Sequence, residues 1–262
     1  ALSFALKPAA GDYMLREIEE QPKLLDKWEY NTGYLKENLK SGLVPIDKIV
    51  LFGCGSSFHG GLLGRKYFQD YSKVEAICEY ASQYNLPFNY DRKILYIGIT
   101  QSGSSADVID VMKKLKEKPI LCLTNTLNST ASRYCRKEAL INCNKEFSVA
   151  ATKSFSYTVL WLYLQASEFA NWGLPRDCKN QLKKAWEDIL NQQEHIKELA
   201  RFIVKFQNIF FMGHDYNYPI ALESSLKMKE VALIHSEGYV SSELKHGPIA
   251  VIGPEVLSIF IV

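Results

Sequence analysis

The sequence predicts an α/β protein whose strands lie in parallel sheets. Short apolar runs alternate along the chain with longer amphipathic segments, a rhythm typical of strands joined by crossover helices. The plan of an apolar run, a glycine-containing turn and a helical segment also occurs twice, once in each half of the sequence. The chain has 262 residues, 47% of them hydrophobic, which is enough for one large domain or two modest ones. We therefore expect two α/β lobes.

The first lobe is predicted to span residues 1–172. It opens with a charged segment of helical spacing, YMLREIEEQPKLLDKW, and then supplies five apolar runs that predict strands. Helical patterns follow the first and third runs, and a long apolar helix follows the fifth. The five runs are KIVLFGCG (48–55), VEAICEY (74–80), KILYIGIT (93–100), PILCLTN (119–125) and EALINCN (138–144).

The second lobe is predicted to begin after a connector. The connector, residues 173–207, is rich in charged and amide side chains and has the pattern of solvated helices. Two apolar runs then predict strands, at 208–213 and 256–262, and a helix is predicted from near Pro219. Because only two strands are evident, we expect this lobe, residues 208–262, to be incomplete in this chain. The start of this lobe, from NIFFMG into the helix near Pro219, repeats the strand–turn–helix plan that begins at KIVLFGCG. This repetition indicates a weak internal duplication.

Charge, hydropathy and cysteine use exclude several classes of protein. The 31 basic and 29 acidic residues give a net charge of +2, which does not predict binding to nucleic acid. No apolar run is long enough to cross a membrane, and the N-terminus has no signal-peptide pattern. The six cysteines form no C-x-x-C pair, so we expect reduced thiols in a soluble cytoplasmic protein. Neither a complete G-x-G-x-x-G motif nor a P-loop motif occurs.

Two turns that contain serine and glycine are candidate anion sites. The sequence TQSGSS at 100–105 joins a predicted strand to a predicted helix, and CGSS at 54–57 does the same earlier in the chain. Hydroxyls and backbone N–H groups at a helix N-terminus bind phosphate well. The alternative is a serine-capped helix after an ordinary glycine turn. We expect the two strands to lie close together with both turns facing one crevice, which favours a ligand site.

Three charged residues of the second lobe are candidates for acid–base chemistry. Glu223, Lys227 and Glu230 are spaced i, i+4 and i+7, so they share one helix face. Such a triplet can be no more than a surface salt bridge. On a helix that lines a crevice, Glu230 would instead move a proton, and Lys227 would stabilise negative charge on a substrate oxygen.

A histidine provides a further candidate. His246 lies in the segment ELKHGP at 243–248, and functional side chains are often displayed on segments bounded by glycine and proline. A structural role for this histidine is the alternative. His59 and His235 are weaker candidates, because both fall in helical patterns with no evident partner.

Five segments together resemble the sugar isomerase (SIS) domain family. They are CGSSFHGGL, TQSGSSADV, SVAATKSF, YPIALESSLKMKEVALIHSEGY and ELKHGP. Within the family the resemblance is to the isomerase domain of glutamine–fructose-6-phosphate aminotransferases, and it runs from about Tyr13 to the end of the sequence. It implies two flavodoxin-like lobes, each a parallel sheet flanked by helices. It also implies conversion of fructose 6-phosphate toward glucosamine 6-phosphate or glucose 6-phosphate by proton transfer between C1 and C2. The ammonia would come from a glutaminase domain or subunit that this sequence does not contain.

The resemblance also implies roles for individual residues. Glu230 would be the base that moves the proton, Lys227 its charged neighbour and His246 the acid–base group that opens the sugar ring. In the family this histidine comes from the partner subunit, so a homodimer is implied. No metal ion or organic cofactor is implied, since positioned acid and base groups suffice for the reaction. The residues implied to bind the sugar phosphate are Ser57, Thr100, Gln101, Ser102, Ser105 and Val149.

Several positions depart from the family's usual pattern. Ser104 and Ser105 stand where the usual turn reads Glu-Thr, Ala151 replaces a serine, and His214 replaces an arginine. Such changes also fit a stand-alone glucosamine-6-phosphate deaminase or fructosamine-6-phosphate deglycase. A non-catalytic sugar-phosphate sensor is a third alternative. The joint presence of the three acid–base candidates argues against the sensor, because phosphate binding alone requires none of them.

Overall fold

The chain divides into two compact units, and each has its own parallel sheet. A computed structural model describes residues 9–28, 34–35, 46–85, 93–170 and 177–262. The units are Ala1–Cys178 and Lys179–Val262. Within the described residues, the first unit holds a five-stranded sheet and the second a three-stranded sheet, with helices packed against both. This confirms the α/β class expected from the sequence.

The first unit begins with two helices and continues with strands and helices in alternation. Its helices are α1 (Ala9–Glu19), α2 (Gln21–Lys27), α3 (Ser56–Asp70), α4 (Ala106–Lys114) and α5 (Lys153–Phe169). Its strands are β1 (Lys48–Gly53), β2 (Glu75–Tyr80), β3 (Ile94–Thr100), β4 (Ile120–Thr124) and β5 (Lys137–Leu140), with short 3-10 turns at Ala81–Gln83 and Ala131–Tyr134. All five predicted strands are confirmed. Residues 171 and 172 of the predicted apolar helix lie outside the described residues.

The five strands form a parallel sheet in the order β2-β1-β3-β4-β5. β3 is buried along its whole length, as expected for a central strand covered on both faces. On one face, Phe52 and Met112 belong to an apolar cluster that includes residues of α4. On the other face, α3 packs so closely on α5 that a Cβ at Gly64 would lie 2.8 Å from Leu162 Cδ1.

The strand order places a topological switch point between β1 and β3. The chain leaves β1 toward β2 on one side and returns to β3 on the other side. Phe52 of β1 pairs with Gly98 of β3 in parallel register, so the two strands end at the same edge of the sheet. The turns at 54–57 and 100–105 therefore lie at the edge where sheets of this type bind ligands. The expected proximity of the two strands is confirmed.

The rest of the chain carries the second sheet. Its helices are α6 (Cys178–Leu190), α7 (Gln193–Ile203) and α8 (Asn217–Lys227), followed by a π-helical turn at Met228–Ala232. Its strands are β6 (Asn208–Gly213), β7 (His235–Val240) and β8 (Val256–Ile261), with 3-10 turns at Ser241–His246 and Pro248–Val251. The strands are parallel in the order β7-β6-β8. This order repeats β2-β1-β3, so the internal duplication extends to the topology.

β7 is a strand that the sequence analysis did not predict. The placement of His235 in a helical pattern is wrong, because this residue begins β7. β7 is polar, and a pair of serines holds it against α8. The Ser225 hydroxyl donates to the Ser236 carbonyl at 2.9 Å, and the Ser236 hydroxyl donates to the Ser225 carbonyl at 2.8 Å. A strand attached in this way has no apolar run, so the hydrophobic pattern does not reveal it.

We expect Ser225→Ala to destabilise the protein by about 1–2 kcal/mol, because it removes one of the two reciprocal hydrogen bonds of a buried pair. Urea unfolding followed by circular dichroism measures the change in the free energy of unfolding. Ser224→Ala, at a less buried position on the same helix, is the control and should cost less than about 0.5 kcal/mol. Equal losses in the two variants would show that the serine pair does not secure β7.

Candidate functional site

The turn between β3 and α4 is fixed by hydrogen bonds within the first unit. Thr100, the last residue of β3, is only 1% exposed, and its hydroxyl oxygen lies 3.0 Å from that of Ser105. The Gln101 carbonyl accepts hydrogen bonds from the Asn125 N–H at 3.0 Å and from the Thr126 hydroxyl at 3.3 Å. The turn is therefore tied to the residues that follow β4. The buried Thr100 also orients the hydroxyl of Ser105 at the start of α4.

Gly103 gives this turn a shape that presents hydroxyls to solvent. Its φ of +64° lies in the left-handed region, and a Cβ there would overlap the Ser129 side chain. Ser102 and Ser104 are exposed, and their hydroxyl oxygens are 2.7 Å apart. Ser105 is the N-cap residue of α4, whose first N–H groups have no partner within the helix. Hydroxyls and N–H groups thus lie together at one helix end, as a phosphate site requires.

The second turn, at 54–57, lies beside the first. The N–H of Ser57, in the first turn of α3, donates to the Cys54 carbonyl at 3.1 Å. The Cys54 thiol lies 4.0 Å from the Asp107 carboxylate in the first turn of α4, so the two helix ends are in contact. Burial, and then the charge of Asp107, raises the pKa of the Cys54 thiol. Cys54 is therefore a neutral thiol near neutral pH.

A cavity of about 540 Å³ opens beside the first turn, near the carboxyl ends of β3, β4 and β5. Its volume falls within the range of small-molecule sites, about 300–1,000 Å³. Gln101 of the candidate phosphate turn lines it. The other lining residues are Asn125, Thr126, Leu127, Asn142, Asn144 and Lys145. Amides, a hydroxyl and an ammonium group make this cavity suitable for a polar or anionic ligand.

The loop between β5 and α5 borders the same cavity and carries Val149. The Glu146 carboxylate closes the loop by accepting hydrogen bonds from the Thr152 N–H at 2.9 Å, the Ser154 N–H at 3.2 Å and the Ser154 hydroxyl. Val149 stands between these anchor points and is 77% exposed. The structure therefore places Val149 on a loop whose base is fixed and whose tip is open to a ligand.

Charged residues of the N-terminal helices contact this loop, and the sequence analysis did not single them out. Glu17 is 4% exposed and accepts hydrogen bonds from the loop backbone. Lys153, 2% exposed, forms an ion pair with Glu20. In the sequence, Glu17 belongs to a charged segment of helical spacing, which normally indicates a solvated helix face, and Lys153 belongs to the segment SVAATKSF. Their burial becomes evident only in the folded chain.

The structure brings together the three charged residues at the end of α8. Lys227 Nζ lies 3.4 Å from a carboxylate oxygen of Glu223 and 2.5 Å from one of Glu230. Glu223 is buried, whereas Glu230 is more open to solvent. Glu230 belongs to the π-helical turn at 228–232, and such turns are frequent at functional sites. A carboxylate in such a group can exchange a proton with a ligand, and the neighbouring ammonium group can stabilise negative charge on it.

The three candidate histidines have different surroundings. His246 ends an exposed 3-10 turn that follows β7. His59 is buried within α3. His235 Nδ1 lies 2.9 Å from Asn208 Oδ1 on the paired strand β6. The phosphate-site candidates thus lie in the first unit, and His246, Lys227 and Glu230 lie in the second.

The described residues show neither a membrane span nor a metal site. Among them, no helix has the length and apolarity that crossing a bilayer requires. No three His, Cys, Asp or Glu side chains in this part of the chain are grouped as ligands of a metal ion would be. The six cysteines, all within the described ranges, are free thiols.

The sheet order defines an α/β protein with a candidate site for a polar ligand at the carboxyl edge of its parallel sheet. The sequence matches the model of the SIS domain family over residues 42–167 and 202–262. The chain belongs to this family, which confirms the resemblance inferred from its motifs.

Several known proteins are similar to this chain over nearly its whole length. The glutamine–fructose-6-phosphate aminotransferase (isomerizing) of Methanosarcina acetivorans is 36% identical over 274 residues, covering 95% of this chain and 44% of that protein. The protein of the same name from Bacillus licheniformis is 35% identical, covering 92% and 43%. The C-terminal domain of glucosamine-fructose-6-phosphate aminotransferase from Francisella tularensis superposes with a TM-score of 0.77 at 26% identity, covering 95% and 75%. The chain spans less than half the length of the first two relatives.

Proposed function

We propose that this chain is the isomerase part of a glutamine–fructose-6-phosphate aminotransferase. It converts fructose 6-phosphate toward glucosamine 6-phosphate by moving a proton between C1 and C2, or toward glucose 6-phosphate when no amine is supplied. The observation that carries the proposal is the ion-paired group of Glu223, Lys227 and Glu230 at the π-helical turn. Relatives at 36% and 35% identity that bear this name support it. A sensor that only binds phosphate would not need this group.

The sugar phosphate binds, in this proposal, at the two serine turns of the first unit. Hydroxyls of the 100–105 turn and the first N–H groups of α4 receive the phosphate, because both are hydrogen-bond donors at the positive end of a helix. The buried Thr100 fixes the hydroxyl of Ser105. The residues proposed to bind the substrate are Ser57, Thr100, Gln101, Ser102, Ser105 and Val149.

The proposed reaction is a proton transfer carried out by side chains of the second unit. His246 opens the sugar ring by moving a proton between the anomeric hydroxyl and the ring oxygen. Ammonia condenses with the C2 carbonyl with loss of water, and Glu230 then takes the proton from C1. The electron pair of the C1–H bond forms the C1–C2 double bond while the C2–N π pair moves to the nitrogen, which takes up a proton to give an enolamine. Protonation at C2 with loss of the C1 hydroxyl proton then leaves an aldehyde at C1. Lys227 stabilises negative charge on the substrate oxygen.

The proposal also concerns the organisation of the enzyme. Residues 1–172 and 208–262 contribute to two lobes, and residues 173–207 connect them. Two copies of the chain form a homodimer, in which His246 of each copy serves the site of its partner. A glutaminase domain or subunit supplies the ammonia.

We expect the purified chain to form glucose 6-phosphate from fructose 6-phosphate, and glucosamine 6-phosphate when ammonium is added. Coupled assays for each product measure the two rates, and unphosphorylated fructose is the control substrate, which should not react because it cannot occupy the serine turns. Release of ammonia from glucosamine 6-phosphate, with no formation of glucose 6-phosphate from fructose 6-phosphate, would favour a stand-alone deaminase. Binding of fructose 6-phosphate without any turnover would favour a sensor.

A further inference from the structure

We propose that Glu17 is a positioning residue: its buried carboxylate, on the N-terminal helix α1, holds the loop that carries Val149 in the shape that receives the sugar. This inference rests on the proposed function, because it treats the loop between β5 and α5 as part of the substrate site. It gives a role in substrate binding to a helix that has none in the proposed reaction.

Glu17 contacts the loop from 130 residues away in sequence. One carboxylate oxygen accepts a hydrogen bond from the Phe147 N–H at 2.5 Å, and the other accepts one from the Ser148 N–H at 3.2 Å. Two consecutive N–H groups bound to one carboxylate fix both the position and the orientation of the backbone directly before Val149. Tyr13 of the same helix stacks on Phe147, with ring centroids 5.7 Å apart.

The N-terminal segment also holds the two ends of the loop. At the start, Trp28 Nε1 donates a hydrogen bond to the Ile141 carbonyl at 2.6 Å. At the end, Lys153 pairs with the Glu20 carboxylate and donates to the Lys145 carbonyl at 2.7 Å. Residues from Glu17 to Trp28 therefore contact the loop at its start, in its middle and at its end.

These contacts leave the tip of the loop as the part that can meet a ligand. Val149 is 77% exposed, while Glu146 ties the base of the loop to the first turn of α5. Asn144 and Lys145, which precede the tip, line the cavity that Gln101 also lines. A shift of the loop backbone would therefore move Val149 and one wall of the cavity together.

A role in stability alone has a different signature from a positioning role. If Glu17 only stabilised the fold, its removal would lower the melting temperature and leave the KM of the folded protein unchanged. If it positions the loop, its removal leaves the loop to be ordered when the substrate binds. That ordering opposes binding, so Kd and KM rise while kcat changes little.

The test compares Glu17→Ala and Glu17→Gln with the control Glu19→Ala, in the full chain and with fructose 6-phosphate as the probe. Glu19 is an exposed carboxylate on the same helix. Hydrogen exchange at the amides of 147 and 148 in the ligand-free protein reports on the loop. We expect Glu17→Ala to speed this exchange by about tenfold and to raise Kd and KM about fivefold to tenfold, with kcat within about twofold. Glu17→Gln keeps an acceptor oxygen and should raise Kd by about twofold to threefold, and Glu19→Ala should match the wild type.

Three results would overturn the inference in distinguishable ways. Unchanged exchange in Glu17→Ala would show that the carboxylate does not hold the loop. Faster exchange with an unchanged Kd would show that the order of the loop does not matter to the site. Failure of the wild-type chain to bind fructose 6-phosphate would overturn the proposed function, and the inference with it. If Glu17→Ala does not fold, the same comparison is made with Glu17→Gln, for which a parallel rise in exchange and Kd supports the inference and an unchanged Kd overturns it.

Discussion

Glu230→Gln is expected to lower kcat for fructose 6-phosphate by about 1,000-fold and to change KM by less than about threefold. Glutamine has nearly the size of glutamate, but it cannot take a proton from C1, which is the step that we assign to this side chain. Lys227 retains its second partner, because Glu223 lies 3.4 Å away, so the end of α8 should stay folded. Steady-state kinetics with a coupled assay for glucose 6-phosphate measures the loss.

Glu243→Gln is the matched control for this experiment. Glu243 is an exposed carboxylate on the turn that ends at His246, so its replacement changes charge in the same unit without touching the ion-paired group. It should keep kcat within about twofold of the wild type. A Glu230→Gln protein that retained more than about a tenth of the wild-type kcat would show that another group moves the proton.

Gly103→Ala is expected to weaken the binding of fructose 6-phosphate by at least about tenfold and to destabilise the protein by about 1–3 kcal/mol. At a φ of +64°, alanine is strained, and its Cβ would overlap the Ser129 side chain. The turn must therefore move, and the hydroxyls of Ser102 and Ser104 move with it. Calorimetric titration with fructose 6-phosphate measures the affinity, and urea unfolding measures the stability.

The chain also offers a matched control for the glycine substitution. A Cβ at Gly253 would meet no atom within 4 Å, and its φ lies outside the left-handed region. Gly253→Ala should therefore leave Kd unchanged and alter the free energy of unfolding by less than about 0.5 kcal/mol. Normal affinity in Gly103→Ala would mean that the 100–105 turn does not receive the phosphate.

The sequence predicts the centre of the first sheet well because β1, β3 and β4 are buried on both faces. Such strands read as continuous apolar runs, as ILYIGIT in β3 does, and the turns that follow them are marked by glycine and serine. β7 gives no such signal, since HSEGYV lies at the edge of the second sheet and is held by the serine pair. The apolar pattern reports burial of side chains, and this strand is secured by hydrogen bonds.

The parts of the site that depend on local helical spacing could be predicted from the sequence, and the parts that depend on distant contacts could not. The grouping of Glu223, Lys227 and Glu230 follows from helical spacing alone, so it could be predicted. The burial of Glu17 depends on a loop 130 residues away, and no local pattern reports a contact at that distance.

The repeated strand order has a consequence for how the two halves tolerate change. Gly53 ends β1 and Gly213 ends β6, and a Cβ at either position would crowd the backbone four residues later, at Ser57 or Asn217. The sharp entry into the following helix thus restricts both positions: a Cβ at Gly213 would overlap the backbone, and a Cβ at Gly53 would require small shifts of the backbone. The residues that follow each glycine are not restricted in this way. After the glycine the first half carries Ser56 and Ser57 and the second half carries His214 and Asp215, so the repeated turn leaves the side chains that follow it free to differ.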